Sequence, residues 1–324
     1  MAIQGNACQI VRNRFRYETL IPGRAGPVIQ AAHPSLQRLA AASVSRGRMA
    51  RQSIAGVLSL LFPVRVAPTL WGRAKIRYRR WEGRLLIHTE PQIAIGILNG
   101  YPRASRDNFE RSGVGHPHDL FRDFLSRYLP GAAVTICFVA DRDQPLPAGT
   151  ALRSYGGFIW TGSDLTIYDR SDRRVTRQIE LAQAIFAGGV PMFGSCWGVQ
   201  MAAVAAGGEV AKNPKGREWG IARDITLTAD GRRSPLMADK PARFDGFIMH
   251  LDEVTRLPAG ARLLAVNAHT RVQALEVRMG AGVFWATQYH PEYNLDEMGR
   301  LISARAKPLV TEGFFDTEKD VQKC

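Results

Sequence analysis

The stretch from 190 to 206 constrains this chain more than any other. Val190-Pro-Met-Phe193 is a short apolar run of the buried-strand kind, and Gly194-Ser-Cys-Trp-Gly198 follows at once. Residues 199–206 are then small and apolar with helical character, closed by Gly207-Gly208. A strand that becomes a helix within five residues, with a glycine at each end of the turn, requires a close backbone approach that side chains would block. Neighbouring segments repeat the alternation. Residues 93–98, 133–139 and 158–160 read as buried strands. Residues 118–129 (Leu120, Phe121, Phe124, Leu125, Leu129) and 175–186 (Ile179, Leu181, Ala182, Ile185) carry helical spacing. The pattern predicts an α/β fold, with a mostly parallel central sheet and helices on both faces.

The second half is strand-rich. Residues 220–227, 244–249, 262–266, 272–277 and 283–287 are strand-like runs separated by turns, and 294–302 reads as a last helix. The chain therefore divides into a basic N-terminal extension (1–88), expected to be poorly ordered, one α/β domain (89–310) and a polar C-terminal tail (311–324).

The extension follows from the charge. The net charge is +14, yet residues 1–88 hold 15 Lys and Arg against 2 Asp and Glu, so the excess sits in the first quarter. Four readings stay open for it: a dispensable leader, a targeting segment around the apolar run 54–64, a nucleic-acid-binding arm in which 71–81 interleaves aromatics with cations, and a regulatory domain. The rest is near neutral, and nucleic acid is not expected as a partner of the domain. No apolar run reaches the ~20 residues of a spanning helix, so no membrane partner is expected. Cys8, Cys137, Cys196 and Cys324 form no close pair. The chain is therefore expected to be cytoplasmic, with no zinc site and no cofactor. His116-Pro117-His118 reads as a loop before a helix rather than as a pair of metal ligands. The sequence carries no signal of oligomeric state.

The chemistry gathers at two places. Gly194-Ser195-Cys196-Trp197-Gly198 has the form of a nucleophile elbow with cysteine at its centre. Cys196 would sit at a helix N-terminus, where unpaired N–H groups and the helix dipole favour a thiolate. A buried cysteine also packs as a small hydrophobe, but the glycines on either side point to reactivity. Gln288-Tyr289-His290-Pro291-Glu292 follows the strand 283–287, and in extended chain His290 and Glu292 face the same side. Glu292 can then hold the imidazole while His290 serves the thiol, if both strands end at one edge of the sheet.

These two motifs, in this order and separation, closely resemble the class I (triad-type) glutamine amidotransferases. Thr161-Gly162-Ser163, 213–220, His250-Leu-Asp252 and Val272-Gln-Ala274 add a likeness to the glutaminase module of GMP synthases and its stand-alone relatives. The resemblance covers about residues 91–305. It implies the flavodoxin-like fold of that family, with Cys196, His290 and Glu292 catalytic. It also implies an oxyanion hole built from the backbone N–H of Trp197 and the Gly162-Ser163 turn, most directly the Ser163 amide. Family members usually carry two glycines, or glycine before proline, at that turn; here Asp164 follows Gly162-Ser163. Gln200 is implied as a substrate contact, and Trp197 is expected to shape the pocket mouth. Arg217-Glu218 and His250/Asp252 are open to two readings, structural contacts around the site or substrate binding. The expected substrate is glutamine. With no Gly-rich phosphate loop in the sequence, the ammonia is expected to go to a separate synthase subunit or acceptor. A γ-glutamyl amide or peptide hydrolase using the same triad is the alternative.

Overall fold

The computed structural model describes residues 77–81, 84–88 and 93–323. A nine-stranded sheet organises the molecule. Its strands are β3 (Ala94–Asn99), β4 (Ala133–Phe138), β5 (Gly157–Trp160), β6 (Met192–Ser195), β8 (Glu218–Leu227), β9 (Arg243–His250), β11 (Arg262–Val266), β12 (Ala274–Met279) and β13 (Gly282–Thr287), in the spatial order β4-β3-β5-β6-β13-β12-β11-β8-β9. The first five in that order pair in parallel, and the remaining pairings are antiparallel. Two small antiparallel pairs stand apart: β1 (Arg77–Trp81) with β2 (Arg84–His88), and β7 (Glu209–Lys212) with β10 (Asp252–Arg256).

Side-chain alternation along the parallel strands builds two cores. Leu98, Phe158, Trp160, Met192, Phe284 and Ala286 enter one. It is covered by α3 (Arg173–Gly188) and α4 (Trp197–Ala205). Ile95, Ile97, Ile159, Phe193, Val283 and Trp285 enter the other, against Phe121 and Leu125 of α2 (Pro117–Tyr128). Helices thus cover both faces, as the alternation predicts. α3 begins where Asp172 accepts a hydrogen bond from the Arg174 N–H and ends at Gly189, whose φ of 71° suits glycine. Every residue of α4 is buried, as its apolar circumference requires.

The structure differs from the sequence expectation in several places. β4 is an edge strand and only half-buried, because nothing pairs beyond it among the described residues. The helix α1 (Arg103–Arg111) goes unpredicted; only Arg106 and Phe109 are buried, so it has no apolar stripe to read. The strands β7 and β10 were not expected either. Within 1–88, the described residues form the hairpin β1–β2; the rest of the expected extension lies outside the described residues. The expected polar tail packs on the domain. After α5 (Leu295–Ala304) and α6 (Ala306–Thr311), Phe314 and Phe315 lie against Trp219, and Val321 of the short α7 (Glu318–Val321) is buried. Three apolar side chains in a polar stretch suffice to dock it.

Candidate active site

The geometry starts from one strand pairing. β6 and β13 run parallel with Ser195 opposite Thr287, so their C-terminal ends lie side by side. The Cys196 N–H donates to the Thr287 carbonyl at 2.8 Å, which ties the turn after β6 to the start of the histidine loop. That loop is held from its other side by the His290 N–H, which donates to the Phe247 carbonyl at 2.8 Å. Residues 94 positions apart in the chain therefore meet at one sheet edge.

Cys196 has φ 53° and ψ −95°, in the left-handed region that a non-glycine residue rarely enters. Such a backbone stores about 1–3 kcal/mol. The flanking glycines make it feasible: a Cβ on Gly194 would sit 2.7 Å from the Gly198 Cα. The Cys196 thiol lies 3.7 Å from the Met249 carbonyl.

His290 Nδ1 donates to Glu292 Oε1 at 2.9 Å, with both side chains 1% exposed. The Cys196 side chain is the other group that acts electrostatically on the imidazole. Burial alone would lower the His290 pKa, but the charges of Glu292 and Cys196 and the hydrogen bonds to both raise it to about 10. Tyr293 stacks on the imidazole, with ring centroids 4.3 Å apart and planes 9° apart. The structure thus brings together the three residues that the motifs single out.

A Cβ on Gly100, at the end of β3, would touch the Gly162 carbonyl, Trp197 Cδ1 and Ser163 Cβ at 3.0, 3.0 and 3.3 Å. The loop ends carrying the expected oxyanion donors therefore converge. The Ser163 hydroxyl donates to the Gly100 carbonyl at 2.8 Å and accepts from the Leu165 N–H at 3.1 Å. It pins the Gly162-Ser163 turn. Trp197 is the first residue of α4, where backbone N–H groups have no intrahelical acceptor.

Other expectations need correction. The Trp197 indole does not shape a pocket mouth: it is 1% exposed, packs in the core and donates to Gln178 Oε1 at 3.0 Å. His250 is not free to contact substrate. Its side chain is 1% exposed; Nδ1 donates to the Asp252 carbonyl at 2.9 Å and Nε2 lies 3.1 Å from Glu218 Oε2. Glu218 also accepts from Asn267, Thr270 and Gln273. Burial works against the Glu218 carboxylate, but the hydrogen bonds from His250, Asn267 and Thr270 win and hold its pKa below the usual range. Arg217 pairs with Glu312 through two hydrogen bonds of 2.7 Å. The contacts of Arg217, Glu218 and His250 are thus with other protein groups. Asp252 is partly exposed, and Tyr168 donates to it at 3.3 Å. The Gln200 amide nitrogen donates to the Asp252 carbonyl at 3.5 Å, while its buried Oε1 finds no partner among the described residues. His118 is bonded to Asn99 at 2.7 Å and stacked on His116. Its pKa falls to about 4, chiefly through burial.

Sequence reasoning missed Ser195. It is fully buried and its hydroxyl donates to Glu292 Oε1 at 2.8 Å. The residue before a central cysteine carries no chemical signal of its own; only the β6–β13 register reveals the contact.

A thiol, an imidazole and a carboxylate thus gather at the C-terminal edge of a parallel sheet, beside two converging backbone turns. Residues 168–306 match the family model described as glutamine amidotransferase class-I. A Gamma-glutamyl-L-1-hydroxyisopropylamide hydrolase from a Pseudomonas species is 37% identical over 71% of this chain and 78% of its own length. A glutamine-hydrolyzing GMP synthase of Pelodictyon phaeoclathratiforme is 33% identical over 53% of this chain, but the match spans only 34% of that protein. Among solved structures, a glutamine amidotransferase from Thermotoga maritima shares the fold, with TM-score 0.54 and 19% identity over 72% of this chain and 90% of its own. The chain belongs to the class I glutamine amidotransferase family. Among the described residues, no helix is long and apolar enough to cross a membrane.

Proposed function

We propose that the chain hydrolyses the side-chain amide of glutamine through a γ-glutamyl thioester on Cys196. The thiolate attacks the amide carbon. His290 protonates the departing nitrogen, so ammonia leaves as the C–N bond breaks. The same imidazole then takes a proton from water, whose oxygen attacks the thioester, releasing glutamate and restoring the thiol. Glu292 holds His290 through Nδ1. The Trp197 and Ser163 backbone N–H groups stabilise the oxyanion of each tetrahedral intermediate; donors of this kind typically contribute about 10²–10³ in rate. Gln200 and Asp252 bind the glutamyl group, a role supported by the unpartnered Gln200 Oε1 and the partly exposed Asp252 carboxylate.

The observation that carries this reading is the buried Glu292–His290 hydrogen bond at the strand edge where the Cys196 turn is tied to Thr287. Cys196→Ala is expected to abolish ammonia release from glutamine, with an unchanged circular dichroism spectrum; full activity in that variant would refute the reading. The ammonia passes to a synthase on another chain or to an acceptor. Measuring the glutaminase rate with and without whatever co-purifies from the natural source tests that part. A cytoplasmic location suits a reaction that needs Cys196 as a free thiol. The 37% identity to a γ-glutamyl amide hydrolase over 78% of that enzyme favours a second reading, an N-substituted γ-glutamyl amide as the substrate. The thioester route is the same, and comparing kcat/KM for glutamine and γ-glutamyl alkylamides separates the two.

A further inference from the structure

We propose that Ser195 is a positioning residue for this active site, acting on His290 through Glu292. The inference rests on the roles given above to Cys196, His290 and Glu292. One carboxylate oxygen, Glu292 Oε1, accepts from the His290 Nδ1–H at 2.9 Å and from the Ser195 hydroxyl at 2.8 Å. The other oxygen, Oε2, is buried and has no partner among the described residues. The terminal torsion of a glutamate is broad and weakly confined by itself. Two donors that converge on one oxygen fix that torsion; a single donor leaves the carboxylate free to swing. Ser195 is well placed to be the second donor because it is the last residue of β6 and wholly buried, with its register opposite Thr287 set by the sheet. Cys196 is its direct neighbour. The strand end that presents the thiol therefore also orients the carboxylate that orients the imidazole, and the relative placement of all three depends on a single β6–β13 pairing.

The test uses the full chain, with Ser195→Ala, Ser195→Thr, Glu292→Ala and the Ser195→Ala/Glu292→Ala double variant. Three quantities are read: kcat and KM for the γ-glutamyl amide that wild type turns over best, the pH profile of Cys196 alkylation by iodoacetamide, and the melting temperature. Ser195→Ala is expected to lower kcat about tenfold to a hundredfold, the range for losing a hydrogen bond to a charged group, with KM little changed. The limb of the alkylation profile that belongs to His290 moves to lower pH, because a loosened carboxylate holds the imidazolium less firmly. In the Glu292→Ala background, which has no acceptor for the hydroxyl, the Ser195 change adds almost nothing, and Ser195→Thr, which keeps the hydroxyl, recovers activity. If Thr is too large for the site and lowers the melting temperature, the cycle with Ala decides alone. Losses that multiply in the double variant, or a Ser195→Ala enzyme with wild-type kcat and alkylation profile, would overturn the proposal. Because alkylation is read without substrate, a wild type that turns over no γ-glutamyl amide while Ser195→Ala still shifts the profile would sink the catalytic reading and leave the positioning role standing.

Discussion

At the residue scale, the site is a contest between burial and charge. His290 is buried deeply enough that desolvation should keep it neutral, yet the negative groups on either side raise its pKa to about 10. A histidine with its pKa raised on folding stabilises the fold fully below its unfolded value of about 6.5. That contribution is lost as pH climbs through the folded value, since between the two the native state binds the extra proton. We expect wild-type melting temperature to fall between pH 7 and pH 10 more steeply than that of His290→Gln, which has no proton to lose. Parallel slopes in a thermal melt series would contradict the assigned charge on the ring. His118 shows the opposite balance: with no close carboxylate strong enough to offset burial, its pKa falls to about 4.

At the element scale, the turn between β6 and α4 is the most demanding piece of backbone. Cys196 sits at φ 53°, and Gly194 and Gly198 pass so close that a Cβ on the first would come within 2.7 Å of backbone. The closest contact atom is backbone, so the turn itself must shift. Gly194→Ala is expected to destabilise the fold by about 1–3 kcal/mol, the usual range for overpacking, and to reduce Cys196 alkylation by iodoacetamide at neutral pH. Urea unfolding and thiol labelling check the two parts. These glycines were legible in the sequence because the reason for them is local. The identity of Ser195 as a partner of Glu292 was not, because the two residues are 97 positions apart and only strand pairing joins them.

At the scale of the whole molecule, the antiparallel half of the sheet braces the site. Glu218 on β8, His250 on β9, and Asn267, Thr270 and Gln273 between β11 and β12 form one buried network. His250 there faces inward, which is why its expected contact with substrate gives way to a supporting one. Glu218→Ala removes the acceptor that all four neighbours share and leaves their donors buried. A loss of about 3–5 kcal/mol is expected, as for breaking a buried ion pair from one side. Equilibrium unfolding in urea measures it, and a change below 1 kcal/mol would mean that the network is a surface-like contact.

The sequence by itself determined the α/β alternation, the strand–turn–helix unit at Cys196 and the His290–Glu292 pair, because each follows from spacing within a few residues. It also separated a basic first quarter from a near-neutral remainder. Tertiary structure decided which strand ends lie side by side, that the Trp197 indole turns into the core rather than toward the site, that His250 is enclosed by Glu218, and that Ser195 reaches Glu292. It also folded the last residues onto Trp219. The physical reason is range. Helix faces, caps and tight turns are set by neighbours along the chain, whereas hydrogen-bond partners and burial at the site depend on sheet register and layer packing, which no short window of sequence contains.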